Sequence, residues 1–294
     1  MRLKTNLVNP IELENLKTFD KWLLDIGEGR DVVEDESYIQ ILEDLKIDEH
    51  TSHEEAIMNA VFPDLSTQIN NIDYMRERER ARAILTPKNE TIHRLNDYIT
   101  QSLPTDGKTY FSLDCTCKAA GISNDDEILY PTEFLNSMMC SDMPKHELHM
   151  KIGIPIMLLR NLNQYDGLCN GNKLIITHLE KWSIQAVIIT GSNIRDIITI
   201  PRIIMSKADM KWPFRLRRRQ LPMTVSFCMT INKSQGQSLK TVGLYMKHQV
   251  FTHGQLYVAQ SRVTSRQGIK ILLALQQDEP TETLTNIVFK EVFN

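Results

Sequence analysis

The sequence has 294 residues, enough for two or three small structural units, and 41% of them are apolar, ordinary for a globular chain. A formal net charge of −3 excludes a general electrostatic pull toward nucleic acid, so any basic surface must be local. No apolar run is long enough to span a bilayer, the start MRLKTNLVNP carries no signal-peptide core, and Cys115, Cys117, Cys140, Cys169 and Cys228 lack the spacing of a disulfide framework or a zinc site.

In chain order, residues 11–26 read as a helix, with Leu13, Leu16, Phe19, Leu23 and Ile26 at three- and four-residue steps and Gly27 and Gly29 ending it. Residues 28–55 are acidic, and Asp35-Glu36 within them reads as a solvated face rather than a metal-holding pair at a strand end. Residues 53–72 repeat the helical pattern more weakly around Ile57, Val61 and Leu65, with Pro63 interrupting. Ala83-Ile-Leu-Thr predicts a short buried strand closed by Pro87, and residues 89–100 a helix carrying Ile92, Leu95 and Ile99.

From Lys151 to Met205 the pattern changes to short strand-like runs, 152–159, 173–179, 185–190 and 196–205, separated by turn residues such as Asn170-Gly171 and Gly191-Ser-Asn. Such spacing predicts a small all-β barrel. The last third returns to an α/β pattern: strand 223–229, loop 230–236, strand 241–246, helix 253–263 and strand 268–275. The fold class expected is therefore α/β with a small β unit inserted.

Three segments invite chemical readings. Asp106-Gly107-Lys108-Thr109 ends like a phosphate-binding loop, but Ser102 stands where the first glycine of G-x-x-x-x-G-K-[ST] belongs, and a strand follows instead of a helix. A tight turn is the better reading. TINKSQGQSL, Thr230–Leu239, combines hydroxyl and amide side chains around Gly236 after the strand-forming run Val225-Ser-Phe-Cys-Met, a composition suited to close backbone contact with phosphates. It also fits a plain polar strand-to-helix turn. GQLYVAQSRVTS, Gly254–Ser265, follows with Arg262 on a helix; Thr252 and Gln255 suit a capping box, which would start that helix at Thr252 and put Gln255, Ala259 and Arg262 on one face. Arg215–Arg219, RLRRR, forms a basic run near Lys207 and Lys211, usually a solvated face and otherwise a guide for a displaced strand or duplex. Trp182 and Trp212 suit core or interface roles, or stacking on bases.

The segments 230–239 and 254–265 resemble motifs V and VI of superfamily-one helicases, and more specifically those of the Pif-one-like DNA helicases, in the plant and transposon-encoded Helitron-type branch. The resemblance extends to FDKWLLDIGEG, ILTPKNETIHRLND, the Tyr130-Pro-Thr-Glu-Phe-Leu-Asn stretch and GIPIMLLRNLNQYDGLCNG, and so runs from about residue 3 to residue 275. It implies a RecA-like second motor domain with an inserted Src-homology-three-like barrel. The implied divisions are 1–80 for the helical tail of the first motor domain and a connector, 81–125 and 221–294 for the second motor domain, and 126–220 for the inserted 2B-like β domain.

By this resemblance Arg262 is an arginine finger. Gly236 and Gln237 lie toward the nucleotide, and Thr230, Asn232, Lys233, Ser234 and Gln235 contact single-stranded DNA. Thr86 and Asn89 belong to a further DNA-facing turn, or Asn89 simply caps its helix. Departures from the family pattern are Asn232 in place of a histidine common in these motors, Gln260 in place of an apolar residue, and Val8 in place of a nucleotide-contacting arginine.

The complete enzyme implied uses ATP and magnesium and moves five-prime to three-prime on DNA, in repair, recombination and telomere maintenance. This chain alone is expected to bind neither cofactor and to be inactive. Its expected partners are single-stranded and duplex DNA and a first motor domain supplied in cis or in trans, with no membrane and no metal. The location expected is nuclear, or mitochondrial or cytoplasmic for a transposon-derived protein. The competing reading is a non-catalytic DNA-binding fragment or degenerate transposon remnant.

Overall fold

The structure, a computed structural model, describes residues 10–30, 38–47, 51–117, 130–140, 142–191, 193–208, 212, 214–275, 283–289 and 291. The Lys4–Val8 segment, the acidic residues Asp31, Glu34, Asp35, Glu36, Asp48 and Glu49, and Lys211 lie outside these. The chain divides into two compact units, one of residues 1–65, 77–99 and 227–294, the other of residues 66–76 and 100–226.

The first unit is built on an all-parallel four-stranded sheet. Its strands are β2 (Arg82–Thr86), β13 (Cys228–Thr230), β14 (Thr241–Met246) and β15 (Ile269–Leu273), in the order β13-β2-β14-β15. Strands in such a sheet are covered on both faces and read as continuous apolar runs. Ala83, Ile84 and Leu85 are accordingly fully buried, as are Leu244 and Met246. Helix α1 (Pro10–Glu28) inserts Phe19, Leu23 and Ile26, and helix α2 (His53–Val61) inserts Ala56, Ile57 and Val61. Ser52 caps α2, its hydroxyl accepting from the Glu55 amide at 3.3 Å. Gly243 lets α2 lie directly on β14: a Cβ there would stand 2.3 Å from the Val61 Cγ2. A short antiparallel pair, β1 (Tyr38–Gln40) with β16 (Thr283–Thr285), completes this unit, and the Asn286 amide donates to the Ile26 carbonyl at 2.8 Å.

The second unit is antiparallel throughout its described strands. A five-stranded sheet runs β12-β6-β7-β8-β9, from β6 (Pro155–Leu158), β7 (Lys173–Leu179), β8 (Ser183–Ile188), β9 (Ile197–Pro201) and β12 (Met223–Val225). A second sheet runs β10-β11-β4, from β4 (Leu113–Cys117), β10 (Ile203–Ala208) and β11 (Arg215–Gln220), and β3 (Gly107–Phe111) pairs with β5 (Glu147–Lys151). Helices α3 (Leu65–Gln68) and α4 (Ile72–Ala81) precede these strands, and α6 (Thr132–Ser137) lies among them; α5 (Asn89–Ser102) follows β2. The turn reading of Asp106–Thr109 agrees with the structure, since Gly107 opens a strand and no helix follows it.

Three expectations need correction. The strand predicted over 223–229 is two strands: Ser226 N–H donates to the Pro155 carbonyl in the antiparallel sheet, while Phe227 accepts from Ile84 at the edge of the parallel one. Residues 107–117, expected in the motor domain, pack in the second unit because β3 and β4 pair there with β5 and β11. The run RLRRR is a solvated face only in part, through the exposed Arg215 and Arg219. It is the strand β11, and Arg218 within it is fully buried opposite Asp114 on β4, the two bonded at 2.6 to 3.0 Å. Arg218 also donates to the carbonyls of Leu135, Met138 and Pro144, so its guanidinium ties two strands to the end of α6.

Candidate nucleotide and nucleic-acid site

The parallel register of β13 and β2 sets Thr230 beside Thr86, so the segments after these two strands emerge at the same edge of the sheet. From Thr230 the chain makes a tight turn at Asn232–Ser234. The Thr230 hydroxyl accepts from the Lys233 amide at 3.2 Å, and Ile231 N–H donates to the Thr86 carbonyl at 3.2 Å. Ser234 is completely buried, its hydroxyl donating to the Ile231 carbonyl at 2.6 Å. Gly236 then adopts a left-handed φ of 81°, with open space where a Cβ would stand. The Gln237 side chain folds back to the Lys233 carbonyl at 3.3 Å.

This geometry sorts the expected contacts. Asn232, Lys233, Gln235 and Gly236 are exposed along the outside of the turn. Ser234 and Thr86 are not: both side chains are buried, Ser234 as an internal staple and Thr86 with a hydroxyl that has no hydrogen-bond partner among the described residues. Asn89 is exposed and is the first residue of α5, not a residue preceding it as a cap would be.

Helix α7 (Gln255–Gln260) has its cap at Gly254, two residues later than the capping-box reading predicts. Gly254, at φ 67°, turns the chain in place of Thr252, and the Gln255 side chain accepts instead from the Phe251 amide at 3.1 Å. Leu256 and Ala259 enter the core, together with Gln260, whose amide atoms find no partner among the described residues.

Arg262 follows the helix and reaches the turn. Its Nη1 lies 3.4 Å from the Ser234 carbonyl oxygen and 3.3 Å from that of Gln237, its Nε donates to Val258 at 2.8 Å, and its Nη2 donates to the Ser261 hydroxyl at 2.9 Å. The backbones join as well, Leu239 N–H donating to the Arg262 carbonyl at 2.7 Å. Partial burial draws the guanidinium below its ordinary pKa. The structure thus brings Thr230, the 232–237 turn and Arg262 into one site of the first unit, with Asn89 following the strand that neighbours it. Sequence reasoning missed the residues that orient the arginine, the Val258 carbonyl and the Ser261 hydroxyl. Nothing in their types marks that role.

Residues 133–179, from α6 through β7, match the family described as DNA helicase Pif1, 2B domain. Among curated proteins, the ATP-dependent DNA helicase PIF1 of Xenopus laevis is 27% identical over 211 residues, covering 70% of this chain and 29% of its own length. The human ATP-dependent DNA helicase PIF1 is 33% identical over 147 residues, covering 42% of this chain and 19% of its own. Over these stretches the chain is similar to Pif1 DNA helicases. Among solved structures, Pif1 helicase from Bacteroides in complex with ADP-AlF3 and ssDNA aligns at TM-score 0.49 and 17% identity, over 98% of this chain and 62% of that one. The Pif1-like chain therefore spans less than a third of the two curated relatives named, and its matched 2B segment falls wholly in the antiparallel unit.

Proposed function

We propose that this Pif1-like chain contributes one wall of an ATP-dependent, five-prime to three-prime DNA helicase, with the 232–237 turn on single-stranded DNA and Arg262 as the arginine finger. The observation that carries the reading is the pair of approaches from the Arg262 guanidinium to the Ser234 and Gln237 carbonyls. In its favour also are the names of the relatives, ATP-dependent DNA helicases. A guanidinium at this place would offset the charge that spreads over a transferring phosphoryl group. The exposed amides, side-chain and backbone, of Asn232, Gln235 and Gly236 suit sequence-independent contact with a phosphodiester backbone, and Lys233 adds one positive charge.

The two roles would be linked, because Arg262 commits its Nη1 to the turn. To reach a phosphate it must leave the carbonyls of Ser234 and Gln237, and the turn then loses its brace. Nucleotide engagement and a change of grip on DNA become one motion. ATP and magnesium would be held by a longer protein, since no G-x-x-x-x-G-K-[ST] occurs in these 294 residues. We assign the antiparallel unit to a Src-homology-three-like barrel of 2B type, and the chain to the plant and Helitron-type branch. The test is Arg262→Ala in a longer form that carries a phosphate loop. ATP turnover should be lost while nucleotide affinity stays within about threefold, the signature of an interaction made only in the transition state; normal turnover would remove the finger assignment.

A further inference from the structure

We infer that the antiparallel unit carries a base-stacking site for single-stranded nucleic acid centred on Trp182, separate from the 230–237 turn and independent of its assignment. Trp182 sits at the turn between β7 and β8 and is 64% exposed, unusual for the largest apolar side chain. Its presentation is braced from below. The Glu180 carbonyl accepts from the Tyr110 hydroxyl at 2.6 Å and from Lys108 Nζ at 3.0 Å, and Glu180 N–H donates to the Ser183 carbonyl at 3.1 Å.

Around the indole the cations alternate with rings. The Arg202 guanidinium lies 5.5 Å from the Trp182 centroid and 5.6 Å from that of the buried Tyr110, and its Nη1 donates to the Phe111 carbonyl at 3.0 Å. Lys181 Nζ is 5.4 Å from the Trp182 ring, and Lys108 Nζ is 5.5 Å from the Tyr110 ring. The Glu180 carboxylate is turned onto Ser183 and Gln185; of the three cations Lys181 is exposed, and Lys108 and Arg202 are half-buried. A cavity of about 460 Å³ opens beside the stack and shares Lys108 and Glu180 with it.

An exposed ring flanked by cations matches a strand that offers an unpaired base and a phosphate on each side of it. A protein partner would want a wider apolar surface, and duplex DNA offers no free base face.

Oligothymidylate binding to the full chain tests the inference. With Trp22→Phe and Trp212→Phe in place, Trp182 is the one remaining tryptophan, since the chain has 3. Its fluorescence should be quenched by oligothymidylate, and neither by an abasic strand of equal length nor by duplex. Trp182→Ala should weaken binding about tenfold, about 1.4 kcal/mol, within the range for one stacked base, whereas Trp182→Phe should stay near the parent. Because the quenching is read at Trp182 itself, it separates this site from the turn. Unchanged affinity in Trp182→Ala, or equal quenching by the abasic strand, would overturn the inference, the second outcome pointing to a phosphate site alone.

Discussion

Arg218 shows how far a single side chain can depart from the behaviour its neighbours in sequence suggest. Within RLRRR the residues alternate, Leu216, Arg218 and Gln220 inward and Arg215 and Arg219 outward, which is the period of a strand. That period was there to be read, but four arginines in five residues mask it, because a charge normally stays in water. What makes burial tolerable is Asp114, which faces Arg218 in the ladder, and three backbone carbonyls that take the remaining donors. Removing one partner alone leaves an uncompensated charge. Arg218→Ala should therefore destabilise the chain by about 3–5 kcal/mol, read from urea unfolding. Arg218→Met combined with Asp114→Leu should recover most of that loss, though not all, since the carbonyls of Leu135, Met138 and Pro144 lose their donors in either variant. Equal loss in the single and double variants would show that the carbonyl contacts, not the ion pair, carry the effect.

At the scale of elements, legibility follows burial and locality. β14 lies at the expected 241–246, and β2 and β15 within a residue or two, because a parallel strand buried on both faces leaves an unbroken apolar run. Helices α1 and α5 likewise carry their apolar stripe in the sequence. β4, β5 and β11 were not legible: each is short, polar on one side and defined by a partner far along the chain, as Lys151 is by Gly107. The start of α7 was misplaced because a left-handed glycine turns the chain where a hydroxyl cap was expected. A similar long-range requirement fixes Gly153. At φ 87° it passes so close to residue 69 that a Cβ would stand 2.4 Å from the Ile69 carbonyl oxygen, which joins the 66–76 segment to the strands of its unit. Both the backbone conformation and the contact penalise any side chain there, so Gly153→Ala should cost about 1–3 kcal/mol in urea unfolding. Gly171, at φ 89° with open space around it, should lose less in the same substitution. A reversed order would mean that the close approach to Ile69 is not a constraint.

For the whole molecule the question is how much a chain of this extent does alone. A net charge of −3 gives it no general attraction for nucleic acid, so affinity must come from the local cations. The turn exposes one, Lys233, and the Trp182 stack adds Lys181 and Arg202. If these carry the contact, only a few phosphates are neutralised on a single strand, each contributing about −0.7 to the slope of log affinity against log salt. The expected slope for oligothymidylate is then shallow, about −2, and Lys233→Ala should reduce it by one such step. With magnesium and ATP added, the same chain should release no phosphate above a protein-free control, because these residues contain no phosphate-binding loop. DNA-stimulated phosphate release that survives Arg262→Ala would place turnover elsewhere in the chain and remove the division of labour proposed for it. A slope of about −5 or steeper would show that basic surfaces other than these two hold the strand.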